Sequence, residues 1–162
     1  MTTSTSDSGR ELFRHALAAL AYRAGKVLRD APESFAGFAA GEGGRTAGQI
    51  LAHLGDLMEW ALSMADGSQK WNDSKPLDWK KEVERFFVAL KTFDDYLASS
   101  KEIHAPLERL LQAPVADALT HVGQLAMMRR MAGTATRGEN YYVAEMVVGR
   151  VGIEQAAPKQ SF

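Results

Sequence analysis

No cysteine occurs among the 162 residues. That excludes a disulfide framework, a Cys-based zinc site and a thiol nucleophile. A basic excess is missing too: 19 Lys and Arg face 20 Asp and Glu, for a formal net charge of −1. Nucleic-acid binding by phosphate neutralisation needs such an excess, and the one tight basic pair, Arg129-Arg130, sits inside a helical pattern. Nor does any apolar run approach the roughly 20 residues that cross a bilayer. Met1 to Gly9 is polar and rich in Ser and Thr, without the basic start and apolar stretch of a signal peptide. The expectation is a cytoplasmic domain with a disordered arm over residues 1–9, and with neither nucleic acid nor membrane as a partner.

What is present is enough chain for one domain. A domain of this size buries about 68–70% of its unfolded surface. It needs no metal to hold it together, so a metal here would be functional rather than a staple.

Helical periodicity dominates. Leu12, Ala16, Ala19, Ala24 and Val27 mark an apolar stripe on a first helix over residues 10–28. Pro32 and four glycines (Gly37, Gly41, Gly43 and Gly44) make residues 30–45 a loop. Thr46 and Gln49 have capping-box spacing and start a second helix. Ile50, His53, Leu54, Leu57 and Ala61 share one of its faces, and Gly67 supplies the stop. Pro76 opens a third helix, which reaches about Ala98 and buries Val83, Phe86, Phe87, Leu90, Phe93 and Leu97. A short turn over 106–111 precedes a last long helix from Pro114 to Gly133. The reading is all-α: an antiparallel four-helix bundle over residues 10–133, with a tail over 134–162 docked on it. In that tail, residues 141–148 are apolar and predict either a strand or a helical turn.

Three polar residues fall on buried stripes. His53 follows Ile50 by three positions and precedes Leu57 by four, so it points inward. Asp117 and His121 are four apart on the last helix, on the face that Leu125 and Met128 continue. Buried imidazole and carboxylate groups are costly without partners, and a divalent ion between facing helices satisfies them together. Two His and one Asp suit Zn, Ni, Mn or Fe. The structural alternative is that Asp117 complements the helix dipole and the histidines are hydrogen-bonded core residues.

Other candidates carry less. Glu59 projects to another side of its helix from His53. Trp60 and Trp71 suit packing or a pocket mouth. His15 and His104 have no companion at metal spacing. Met127, Met128 and Met131 read as core filler. Arg129 and Arg130 divide into one solvated residue and one paired with an acid. Residues 138–142, Gly-Glu-Asn-Tyr-Tyr, read as docked tail before lid.

Arg45-Thr46-Ala47-Gly48-Gln49-Ile50-Leu51-Ala52-His53-Leu54 resembles the second-helix segment of the DinB/YfiT-like superfamily. His121-Val122-Gly123-Gln124-Leu125 resembles the His-x-Gly-Gln stretch of that family's last bundle helix. Order and separation match, and the resemblance covers about Leu12 to Gly133. It implies a four-helix bundle with a metal held by three histidines, one on the second helix and two at i, i+4 on the last. His53 and His121 match two of them; the third falls on Asp117, a harder ligand. The implied metal is Zn, Ni or Mn. Relatives include thiol-transferring enzymes, a thiol-dependent isomerase and metal-dependent hydrolases.

Two readings follow. One is a metal-dependent enzyme acting on a small molecule by group transfer with a low-molecular-weight thiol, or by hydrolysis. The other is a non-catalytic ligand-binding or dimerising module with a vestigial metal site. Bundle faces pair readily, so a homodimer is a further expectation.

Overall fold

The computed structural model describes the backbone of residues 5–162 and the side chains of residues 8–162. Among them every regular element is helical. Extended pairing is limited to two isolated bridges, Ala39 with Thr46 and Glu139 with Ser161. The long helices are α1 (Thr5–Leu28), α2 (Ala47–Ala65), α3 (Trp79–Ala98) and α5 (Ala116–Met131). A short α4 (Leu107–Leu110) runs through a π-helical turn (Leu111–Val115) into α5.

Helix α2 packs most broadly on α3, α1 lies against α3 and α5, and α5 returns to α2. They enclose one apolar core, in which Leu17, Leu20, Leu51, Leu54, Phe86, Leu90, Phe93 and Leu125 are fully buried. Each such side chain contributes roughly 1.5–3 kcal/mol over its exposed state. No helix among the described residues is long and apolar enough to cross a membrane.

Helix α1 takes in residues 5–9, which the polar composition assigned to an arm; residues 1–4 lie outside the described ones. Arg10 ties this end down, donating to the carbonyls of Ser99 and Lys101 at 2.9 Å each. The buried face of α1 departs from the expected stripe in its first half, where Ala16 and Ala19 are only partly buried, and agrees with it at Ala24 and Val27. Leu12 is exposed, and Phe13, Leu17, Leu20, Ala21, Ala24, Val27 and Leu28 are buried. The large ring of Phe13, edge-on to Phe93, sets the face one position further along.

The capping box forms as its spacing predicts. Gln49 N donates to Thr46 Oγ1 at 3.2 Å, and Thr46 N donates to Gln49 Oε1 at 2.8 Å. Past the end of α2, Gly67 takes the left-handed conformation at φ 85°. The preceding glycine-rich segment contains a 3₁₀ turn, Glu33–Gly37, that lies on α2. Gly48 permits the approach, since a Cβ there would stand 3.1 Å from the Ala36 carbonyl. Helix α3 starts at Trp79 rather than at Pro76, because Glu82 reaches back to accept from Leu77 N at 2.8 Å.

Pro114 does not start the last helix; it lies inside it. Proline lacks an N–H and crowds the carbonyl four residues back, and widening to a π turn accommodates it without a break. In the tail, residues 141–148 form neither strand nor helix. Tyr142, Val143 and Val147 are exposed, while Glu139 and Val151 are buried instead. Glu139 accepts from the Tyr22 hydroxyl and from Lys26 Nζ (2.6 Å), and Arg23 lies 4.0 Å from the Tyr141 ring centre. The tail thus docks on α1 through a buried carboxylate and a cation–π contact, and it adds Val151 to the apolar core.

Candidate metal centre

His53 on α2 and the Asp117–His121 pair on α5 converge. One ligand atom from each lies within 4.8 Å of the other two. Asp117 Oδ2 is 3.4 Å from His53 Nε2, and its Oδ1 is 3.5 Å from His121 Nε2. The two imidazoles meet edge to face, with centres 4.8 Å apart. The histidine side chains are largely covered, 18% and 12% exposed, whereas Asp117 is 46% exposed. The cluster therefore has a buried imidazole side and an open carboxylate side.

His121 Nδ1 is 2.7 Å from Gln124 Oε1, one turn further along α5. With Nδ1–H donating to that oxygen, the neutral ring turns the Nε2 lone pair toward the Asp117 carboxylate. Two acceptors facing each other need a proton or a cation between them. His53 is held below its ordinary range, chiefly by burial. His121 and Arg45 add to the depression, and the hydrogen bond and charge of Asp117 oppose it. Burial thus favours the neutral ring, the form that can ligate.

An aromatic wall closes one flank. Trp71 is edge-on to His53 with centres 5.7 Å apart, and edge-on to Trp60 at 5.5 Å. Trp71 belongs to the irregular segment 66–78, and polar side chains of α2 fix that segment. Ser63 Oγ accepts from Lys70 N at 2.9 Å, Glu59 accepts from Asn72 at 3.1 Å, and Asp56 accepts from both N and Oγ of Ser74 at 2.9 and 2.6 Å. Arg85 from α3 binds the same two acids, Asp56 (3.1 Å) and Glu59 (2.9 Å), and also Glu82 of its own helix (2.6 Å) and the Ala52 carbonyl (2.6 Å). Beside His53 a cavity of about 300 Å³ is lined by Arg45, Gln49, Asp56, Asp73, Ser74 and Lys75, among others.

No protein-family model, curated protein or solved structure matches the chain.

All three predicted ligands meet, and Glu59 stands apart, bound to Arg85 and Asn72. His15 and His104 are exposed. Of the three methionines expected in the core only Met128 is buried; Met127 and Met131 are 56% and 54% exposed, since they flank it on the outer side of α5. Arg130 is solvated, but Arg129 pairs with no acid among the described residues: it is buried and donates to the carbonyls of Val27 (2.8 Å) and Asp30 (3.3 Å). Residues 138–142 dock on α1 and on the end of the chain, as the docked-tail reading expects.

Sequence reasoning placed Gln124 in the His-x-Gly-Gln stretch without giving it a role, and missed the Arg85 cluster. The i, i+3 spacing of His121 and Gln124, and of Glu82 and Arg85, was the available signal. So was Gly55, a glycine in the middle of an otherwise apolar helix.

Proposed function

We propose that the protein is a DinB/YfiT-like metal-dependent enzyme of the cytoplasm, an antiparallel four-helix bundle in which His53, Asp117 and His121 hold one divalent ion. The observation that carries this reading is the spacing of the donors. Bonds of about 2.1 Å in a tetrahedral set place neighbouring ligand atoms about 3.4 Å apart. Through its two oxygens Asp117 lies 3.4 Å from His53 and 3.5 Å from His121, and one ligand atom from each of the three residues lies within 4.8 Å of the other two, so a small side-chain adjustment would close the set on an ion. The mixed nitrogen and oxygen set suits Zn, Ni or Mn.

When bound, the ion supplies Lewis acidity that makes a thiol or a water more acidic near neutral pH. The chain's own residues then define what reaches it. Asp117 leaves the site open on its exposed side, and Gln124 fixes the His121 ring and tautomer. Trp71 screens His53 from bulk water on one flank. The adjoining cavity carries Arg45 and Lys75 against Asp56 and Asp73, a wall of mixed charge that suits a small polar substrate. We favour group transfer with a small thiol, and hydrolysis second.

One observation favours the runner-up, a non-catalytic binding module. Asp56 and Glu59, the acids that follow His53 on α2, are committed to Arg85 and to segment 66–78. Neither is free to move a proton.

Elemental analysis of protein purified without an affinity tag, beside the His53→Ala/His121→Ala double variant, tests the site. Near one metal per chain, lost in a variant that stays folded, supports it and justifies a screen with small thiols. No metal after incubation with Zn, Ni and Mn overturns the metal reading. Metal binding without turnover moves the binding module ahead.

A further inference from the structure

A second cavity, of about 380 Å³, lies among α1, the end of α5 and the tail. Its walls carry Lys26, Arg29, Arg129 and Arg137 against only Asp30 and Glu139. The local excess of two positive charges stands out in a chain whose formal net charge is −1. Glu139 is already engaged by Tyr22 and Lys26, so it offsets the lysine and no more.

The arginines distinguish this cavity. Arg129 is buried, yet among the described residues no carboxylate reaches ion-pairing distance of it; it donates to the carbonyls of Val27 and Asp30 and to the Thr134 hydroxyl, which leaves one N–H on each terminal nitrogen for a ligand. Burial pushes this guanidinium down, with the charge of Asp30 opposing. Arg29 likewise has no ion pair there and gives one hydrogen bond, to the Ile153 carbonyl at 3.1 Å, leaving most of its five donors free. Of the partly covered arginines elsewhere, Arg14 is neutralised by Asp94 at 2.9 Å and Arg85 by three acids, while Arg10 donates to two carbonyls. A buried cation without an anion is costly, and a bound anion relieves that cost.

We propose that this cavity binds a small dianion, a phosphate ester or a dicarboxylate, through Arg29 and Arg129. Guanidinium forks match both groups by paired hydrogen bonds. The volume is at the low end of small-ligand pockets, which run from about 300 to 1,000 Å³, so the ligand is one small molecule rather than a dinucleotide. The site uses none of the residues of the metal centre. Arg129 follows His121 by eight positions on α5, about 12 Å along the axis at 1.5 Å per residue. The proposal therefore stands or falls independently of the metal reading.

The test is a titration of the full chain, at constant ionic strength in chloride, with inorganic phosphate and separately with succinate, followed by amide chemical shifts. At least one probe is expected to saturate with a dissociation constant on the order of millimolar, with shifts centred on residues 26–30, 129–137 and 155. Saturation by phosphate alone assigns the ester class, and by succinate alone the dicarboxylate class; both outcomes support the site. Arg29→Gln, at an exposed position, is expected to weaken binding by about tenfold or more at unchanged Tm, whereas Arg109→Gln, remote from the cavity, leaves it unchanged. Arg129→Gln extends the test, and Arg29→Gln suffices if that variant does not fold. Absence of saturable shifts for both probes up to about 50 mM, or undiminished binding in Arg29→Gln, overturns the proposal.

Discussion

Gly55 lies directly beneath the Arg85 guanidinium: a Cβ at that position would stand 2.7 Å from Arg85 Cζ. In an ordinary helix interior, Gly→Ala stabilises by roughly 0.5–1 kcal/mol. Here the arginine tip cannot yield freely, because it is bound to three carboxylates and a carbonyl. Displacing it leaves Asp56 and Glu82, both buried, without their cation. Gly55→Ala is expected to lose about 3 kcal/mol, in the range for breaking a buried pair. Urea unfolding measures this, and a stabilised variant would contradict the role given to Arg85.

Gln124 is exposed and makes no packing contribution that would explain it; its described contact is with His121. Gln124→Leu is expected to leave Tm unchanged and to weaken zinc binding by roughly 10–100-fold, as loss of an outer hydrogen-bond partner does. Competition with a chromogenic chelator reads the affinity. Equal affinity in the two proteins would remove Gln124 from the site.

His53 carries a pH signature in protein stripped of metal. Its folded-state value lies below the ordinary 6.5, mainly through burial. As pH falls through that range the unfolded chain takes up this proton before the folded one. The contribution to stability is therefore present above the unfolded value and is lost as pH falls toward the folded value. Asp117 raises the His53 value by its hydrogen bond and its charge. Asp117→Asn is thus expected to push the His53 midpoint further down in an NMR titration of the ring proton. An upward move would be inconsistent with the 3.4 Å contact.

Glu139 holds the tail to α1. With Glu139→Gln, Lys26 is left 15% exposed without a counter-ion, at an expected cost of about 3 kcal/mol. Adding Lys26→Met is expected to recover much of it, since an apolar replacement of a buried pair is often neutral. Thermal unfolding of the single and double variants decides. If the double variant is no better than Glu139→Gln, the loss lies in the Tyr22 hydrogen bond rather than in the ion pair.

The helical class and the meeting of His53, Asp117 and His121 were legible because both rest on periodicity, which reports which residues share a face. The errors fall where the pattern is degenerate. Leu12 and Phe13 are adjacent apolar residues, and pattern alone does not say which leads the stripe; the fit of Phe13 against Phe93 does. Met127, Met128 and Met131 cannot all face inward at helical spacing, and only packing selects Met128. The Arg85 cluster joins residues 29 positions apart along the chain through Asp56, and no local rule reports that. Residues 141–148 were read by apolar content, but a charge buried at Glu139 docks the tail.

The π turn at Leu111–Val115 lies just upstream of Asp117 and His121. Each residue turns an α-helix by about 100°. A wider turn accommodates an extra residue between α4 and α5, so their faces are offset by that angle. Removing one residue from this turn would restore a regular helix and swing Asp117 and His121 together away from His53, with every ligand still present in the sequence. The cluster thus depends on counting as much as on chemistry: a single-codon deletion there would disperse it more completely than many substitutions nearer the three side chains.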